Sequence, residues 1–164
     1  MSEKIKGTLI SISPIQLRGY YIKEFIFQVN PEFDQNRPSE SSFDDLSFKC
    51  QFGELSSDAV PAADPQEFET NELWESRFSV EYGKKGSSNR NFPYIYSISI
   101  TGLFTLNKKY NIEKRRELMA YNTQSILYGI VREIVSSFMD KGPFPSAILP
   151  TVSFSPMELT PDKK

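Results

Sequence analysis

The sequence predicts an α+β fold in which a four-stranded antiparallel sheet carries a long helix packed on one face. Four segments have the composition of strands, and three of them alternate apolar and polar residues, which is typical of an antiparallel sheet with one covered face. After Asn107 the apolar residues change to helical spacing. A chain of 164 residues, 38% of them hydrophobic, can bury one core, so we expect a single domain over residues 1–164.

The first strand is predicted over residues 17–29 and the second over residues 43–52. The first strand is apolar on both faces, so we expect it to be buried on both sides. The second is apolar at every second position from Leu46 to Phe52, which predicts a half-buried strand. Cys50 shares this apolar face, and we interpret it as a small buried residue.

The third and fourth strands are predicted over residues 70–82 and 92–104, each with one aromatic-rich face and one polar face. Residues 83–91 are predicted to form a flexible hairpin loop between them. Residues 54–75 contain seven carboxylates and no basic residue, which predicts a mobile surface loop in the first part of this segment. Whether this acidic segment is a docking element or a solvated connector stays open.

The clearest helix is predicted over residues 123–140, with Asn122 or Thr123 as its N-cap. Residues 112–121 are predicted to form a short, separate helix. The residues that follow, 144–154, are apolar and rich in proline, so we expect an extended segment that packs along the surface. Residues 155–164 are polar and are predicted to be a mobile tail.

The composition excludes most catalytic chemistry. The chain contains no histidine and one cysteine, so histidine-dependent nucleophilic catalysis, histidine metal sites and intrachain disulfides are impossible within it. Phosphate-binding glycine loops and calcium-binding loops are also missing from the sequence. We therefore expect no enzyme, no catalytic residue, no metal and no cofactor. A net charge of −2 argues against nucleic-acid binding, and no apolar run is long enough for membrane insertion, so we expect a cytoplasmic protein.

The order of these elements, together with several short motifs, resembles the SecB family of export chaperones. The resemblance extends over residues 17–156 and is most specific over residues 122–154. The residues that carry it are Gly102-Leu103-Phe104, Ile126-Leu127-Tyr128, Arg132-Glu133, Gly142, Phe144-Pro145, Leu149-Pro150, Val152 and Phe154, with Tyr21-Ile22-Lys23 and Phe25-Ile26-Phe27 in the first strand.

The resemblance implies a SecB-like sheet and helix, assembly as dimers of dimers, and ATP-independent binding of unfolded preproteins in hydrophobic grooves. Some relatives instead hold an antitoxin. Two departures are visible: only ten residues follow Phe154, so the second family helix is expected to be missing, and residues 1–16 form an N-terminal extension or an extra strand.

A peptide-binding groove is predicted between the helix and the sheet edge. Its candidate residues are Phe78, Phe104, Leu118, Tyr121, Leu127 and Val131. The alternative, that these six belong only to the core or to an interface, stays open, as does whether residues 144–154 cover the groove. A second candidate surface is an acidic face for partner docking formed by Glu72, Glu75 and Glu81, which resembles the surface through which the family meets the translocase motor. The alternative interpretation of this face is a solvated strand edge.

The expected function is therefore that of a SecB-like holding chaperone for unfolded or extended polypeptide segments, with protein export as its context. The alternative is a SecB-like adaptor or antitoxin-holding module that binds one specific partner without general chaperone activity. More apolar surface is present than one sheet and one helix can cover, which predicts a homo-oligomer, either a dimer or a tetramer.

Overall fold

The structure is a computed structural model that describes residues 13–56, 69–83, 90–147 and 149–154. Its strands form a single antiparallel sheet in the order β1-β4-β3-β2, and one helix packs on one face of that sheet. The predicted fold class is thereby confirmed. The elements are β1 (Ile15–Val29), a 3₁₀ turn (Phe43–Asp45), β2 (Leu46–Leu55), β3 (Asn71–Tyr82), β4 (Tyr94–Asn107) and α1 (Ile112–Met139).

Several sequence predictions fall partly or wholly on residues that the structure does not describe. One is the hairpin loop predicted over residues 83–91, of which residues 84–89 lie outside the described part. Of the predicted N-terminal extension, residues 1–12 lie outside the described part, whereas Ile15 and Gln16 already belong to β1. The predicted mobile tail, residues 155–164, and any position for a second family helix after Phe154 also lie outside it. The first part of the acidic segment is described only up to Ser56.

The alternating pattern of β3 and β4 places one face of each strand against the helix. On this face the side chains are almost fully buried, and the helix side supplies further residues with no exposed surface. Among the described residues, ten hydrophobic side chains with 0% exposure make up the centre of the core: Phe78, Val80, Ile98, Ile100, Phe104, Leu106, Met119, Leu127, Val131 and Val135. Burial of this much apolar surface is the main force that holds the helix on the sheet.

Strand β1 contains two register shifts, and they change which side chains face the helix. The pairing with β4 skips Arg18 and then Lys23. Each one-residue shift reverses the faces of the residues that follow. As a result Tyr20 and Ile22 share the helix side with Phe25.

The prediction that β1 is buried on both sides is wrong for the single chain. Strand β1 lies at an edge of the sheet, and the helix runs over the central strands. Tyr20, Tyr21, Ile22, Ile26 and Val29 are all more than 40% exposed.

The two predicted helices form one continuous helix, so the predicted break at Asn122 is wrong. The N-cap is Asn111, whose side chain accepts a hydrogen bond from the backbone of Glu113 at 3.1 Å. Asn122 and Thr123 do not cap, because their side chains donate to carbonyl oxygens four residues earlier in the same helix. This local bonding lets polar residues stay inside a helix.

The helix ends where Gly142 passes close to Tyr94. A Cβ atom at Gly142 would lie 2.5 Å from the Tyr94 hydroxyl, so only glycine fits this approach. The same hydroxyl donates to the carbonyl oxygen of Phe144 at 2.5 Å and accepts from its backbone nitrogen at 3.1 Å. Tyr94 thus fixes the direction in which the chain leaves α1.

Candidate functional site

The six predicted peptide-binding residues are not equally accessible. Phe78, Phe104, Leu127 and Val131 have no exposed surface, whereas Leu118 and Tyr121 are partly exposed. The helix sits so close to β4 that a Cβ atom at Gly102 would lie 2.8 Å from the Leu127 side chain. The four buried residues therefore hold the helix on the sheet. A client-binding role for all six stays a prediction that would require α1 to move away from β4.

An aromatic groove lies between α1 and the edge strand β2. We define it by Phe48, Phe78 and Tyr128. The three ring centroids are mutually separated by 5.9 to 6.0 Å, and both rings that approach Tyr128 do so edge-to-face. Phe48 is only partly buried, since β2 lies at an edge of the sheet that the described residues form. The groove is therefore an apolar surface that can contact a further side chain.

The apolar segment Leu149–Phe154 occupies this groove, which answers the question that the sequence left open. The ring of Phe154 packs edge-to-face on Phe78 at 5.9 Å and on Tyr128 at 6.1 Å. Val152 and Phe154 are partly buried while Thr151 and Ser153 are exposed. This is the alternation of an extended segment that presents every second side chain to a surface.

Tyr128 provides the polar contact to this segment. Its hydroxyl donates a hydrogen bond to the carbonyl oxygen of Pro150 at 2.6 Å. Burial raises the pKa of Tyr128, opposed by the nearby Arg132, whose guanidinium lies 6.0 Å from the ring centroid. The phenol therefore stays protonated and able to donate at neutral pH.

A cavity of about 210 Å³ opens where the segment passes the beginning of β2. Leu46, Tyr82, Tyr96 and Leu149 are among its lining residues. Burial, helped by the nearby carboxylate of Asp45, raises the pKa of Tyr82 to about 12, and burial also raises the pKa of Tyr96. Both phenols are therefore neutral, and the cavity is suited to an apolar or aromatic side chain.

The three acidic residues predicted for partner docking do not share one face. Glu75 and Glu81 lie on the face of β3 that points away from the helix, but Glu72 lies on the helix side. Glu72 forms an ion pair with Arg115 of α1 and accepts a hydrogen bond from the indole of Trp74 at 3.3 Å. The prediction that Glu72 lies on the open face is therefore wrong. Glu72 and Trp74 are two residues apart along β3, so their side chains point to the same face of the sheet.

The remaining open face carries little net negative charge around Glu75. Arg77 is its neighbour and forms an ion pair with Glu75 at 2.5 Å. Docking of a partner through Glu75 and Glu81 stays a prediction. Among the described residues, no group of three or more histidine, cysteine, aspartate or glutamate side chains is arranged to hold a metal ion.

Exposed apolar side chains are concentrated at the opposite edge of the sheet. Seven large hydrophobic residues are markedly exposed, and five of these belong to β1. Phe138, also exposed at 43%, extends this surface from the helix, since its ring meets Phe25 edge-to-face at 4.7 Å. We call this the β1 surface: Tyr20, Tyr21, Ile22, Ile26, Val29 and Phe138.

Sequence reasoning missed Phe48, Tyr128 and Phe154 as groove residues. The alternation of β2 gave Phe48 an apolar face, but it did not show that β2 lies at an edge. Cys50 illustrates the same point, because the prediction that it is buried is wrong and the residue is exposed. The helical spacing did not place Tyr128 on the apolar face of the helix, and it gave no indication of which strand the residue would meet.

No helix in the described part of the chain is long and apolar enough to cross a membrane. A search of curated proteins gives no match. Several solved structures are similar to the chain, and two of them are described next. One is a SecB-like chaperone from Mycobacterium tuberculosis in complex with an antitoxin peptide, with 15% identity, coverage of 87% of this chain and 93% of that one, and a TM-score of 0.46. The other is a protein of unknown function from Streptococcus agalactiae, with 11% identity, coverage of 83% and 96%, and a TM-score of 0.48.

The family comparison covers more than half of the chain. The sequence model of the family described as preprotein translocase subunit SecB matches residues 44–159, a range that contains β2, β3, β4, α1 and the segment Leu149–Phe154. The chain belongs to the SecB family.

Proposed function

We propose that this protein is an ATP-independent holding chaperone that binds extended apolar segments of unfolded or unstable proteins in the aromatic groove. The observation that carries the proposal is the occupancy of the groove by an extended apolar segment of the same chain, with Val152 and Phe154 docked and Ser153 exposed. A surface that holds this pattern within the chain offers the same contacts to a client of similar pattern.

The chemistry of the groove suits varied clients. Ring contacts and burial are nearly independent of the exact sequence that is bound, because the hydrophobic effect is non-directional. The hydrogen bond from Tyr128 reaches a backbone carbonyl, which every client has. The adjacent cavity of about 210 Å³ provides space for one further side chain. Many such weak contacts along a long client give holding without nucleotide.

Aggregation of a chemically unfolded protein tests the proposal. The chain at stoichiometric ratio, without nucleotide, is expected to suppress light scattering. Phe48→Ser is expected to weaken suppression, because it removes one partly exposed ring from the groove. Ser47→Ala is the matched control, since Ser47 is the adjacent exposed residue on the other face of β2. If the wild-type chain leaves aggregation unchanged at every ratio, the general chaperone proposal fails.

A second candidate function is a module that binds one defined partner, such as an antitoxin. The small size of the groove favours it, because its three rings receive a single aromatic side chain of the internal segment, that of Phe154. Co-purification of one native partner, combined with no effect on unrelated unfolded proteins, would support this candidate against the first.

The β1 surface supports self-association as part of the proposed function. Its side chains are large, apolar and adjacent to the free edge of β1, where a second strand can pair. A homo-oligomer, either a dimer or a tetramer, would cover it. We include in the same proposal a cytoplasmic location and a role in export in which Glu75 and Glu81 face the translocase motor.

A further inference from the structure

Leu149 is 4% exposed and belongs to the core, whereas residues 150–154, which follow it, are held on the groove by few contacts. Tyr128 donates one hydrogen bond to Pro150, and Phe154 meets two rings. In the described part of the chain, the segment makes no backbone–backbone hydrogen bond to another element. Val152 and Phe154 keep part of their surface exposed, whereas Phe78 beneath them has none. Compared with the strands, this segment is therefore weakly attached.

We propose that residues 150–154, tethered by the buried Leu149, are a displaceable ligand that occupies the aromatic groove and lowers the apparent affinity of the groove for other segments. The inference rests on the proposed function in that the competing segment would be a client. It adds that binding requires the internal segment to leave, so that the groove is regulated by its own chain.

The geometry also defines the chemistry of the competitor. Alternate side chains of an extended segment point the same way, so the residues at positions i and i+2 dock together. The internal ligand places Val152 and Phe154 at these positions, with Ser153 between them in solvent. A competitor would be an extended peptide with an aliphatic residue two positions before an aromatic one, because such a peptide reproduces the contact with Phe78 and Tyr128.

Tethering determines the size of the effect. A ligand on a short tether has an effective concentration on the order of millimolar. If the untethered segment binds with a Kd on the order of 0.1 mM, the internal ligand occupies the groove about ten times as often as it leaves it empty. The apparent affinity for a competitor is then about tenfold weaker than that of the empty groove.

A labelled peptide with the sequence of residues 149–155, Leu-Pro-Thr-Val-Ser-Phe-Ser, tests the inference with the full chain. Val152→Ser and Phe154→Ser each weaken the internal ligand and leave the groove residues unchanged. Fluorescence anisotropy is expected to show about tenfold tighter binding of the peptide to either variant than to the wild type. Ser153→Ala is the matched control, because its side chain is exposed, and it is expected to bind like the wild type.

Equal peptide binding by the wild type and by both folded variants would overturn the inference, as would the lack of binding to either folded variant. Circular dichroism establishes whether each variant is folded. If Phe154→Ser unfolds, the peptide-binding comparison is made with Val152→Ser, which is the smaller change. The peptide measurement contains no client. Peptide binding to the variants combined with a failed aggregation assay would therefore contradict the proposed function and keep the tethered ligand.

Discussion

Removing one partner of the ion pair between Glu72 and Arg115 is expected to destabilise the fold strongly, because the pair joins β3 to the first turns of α1 in a nearly buried position. The two side chains are only 13% and 11% exposed. Glu72→Gln removes the negative charge and leaves the Arg115 guanidinium buried without its counter-charge. Breaking a buried pair in this way costs about 3–5 kcal/mol, and the remaining exposure here favours the lower end, about 3 kcal/mol.

The effect is measurable by thermal unfolding. For a chain of this size 1 kcal/mol shifts Tm by about 2–4 °C, so Glu72→Gln is expected to lower Tm by roughly 6–12 °C. Glu75→Gln is the matched control. It breaks the Glu75–Arg77 pair, whose side chains are 25% and 53% exposed, and it should cost under about 1 kcal/mol.

The double variant Glu72→Gln, Arg115→Met separates the charge from the packing. It removes both charges while keeping the length of the side chains. It should recover most of the lost stability, because replacing both partners of a buried ion pair by uncharged groups often changes the free energy of unfolding very little. If Glu72→Gln and Glu75→Gln lower Tm equally, the placement of Glu72 against the helix is refuted and it belongs with the open acidic face.

Three further predictions concern the termination of the helix, the β1 surface and a buried phenol. Gly142→Ala is expected to lower Tm, because its Cβ would lie 2.5 Å from the Tyr94 hydroxyl. Gly129→Ala, whose Cβ would have no atom within 4 Å, should raise the free energy of unfolding by up to about 1 kcal/mol. Differential scanning calorimetry of both variants checks this. Ile22→Lys places a charge on the β1 surface and is expected to reduce the mass measured by light scattering coupled to size exclusion; a wild-type monomer of 18.8 kDa would contradict the expectation. The pKa of Tyr82 is raised from 10.0 to about 12 in the folded chain, so its neutral form adds stability below pH 10 that is lost as the pH rises toward 12. Tyr82→Phe should flatten this part of a curve of unfolding free energy against pH. A curve with the same slope in the variant would contradict this prediction.

The central part of the fold could be predicted because its patterns are local. The period of two in β3 and β4 identifies the helix-facing residues directly, and burial of Phe78, Ile98 and Ile100 follows from it. The predicted boundary between two helices at Asn122 was wrong, because the sequence does not show which hydrogen bond the side chain of Asn122 makes. Asn122 is an excellent N-cap in isolation, but within α1 its side chain bonds back to Leu118.

The edges of the fold were harder to predict, because they depend on contacts between distant segments. The strand order places β1 and β2 at the edges, and no local pattern of either strand contains that information. The two register shifts of β1 likewise depend on its pairing with β4. Alternation alone therefore cannot show which of Tyr20 and Tyr21 lies on the helix side of the sheet. The aromatic groove was not predicted for the same reason, since its position depends on which strand flanks Tyr128.

The two apolar edges of this sheet differ in what covers them, and this difference bears on how assembly and client binding can coexist. At β2 the chain itself supplies Leu149–Phe154, and the groove beneath it remains partly exposed at Phe48. At β1, five large side chains stay exposed and no described segment covers them. A second copy that pairs along β1 would bury the more exposed of the two surfaces and leave the aromatic groove at the opposite edge of the sheet. Because β4 and β3 separate the two edges, the proposed self-association and the proposed client binding would use different surfaces. A variant such as Ile22→Lys should therefore change the first while leaving the affinity of the groove for a peptide unchanged.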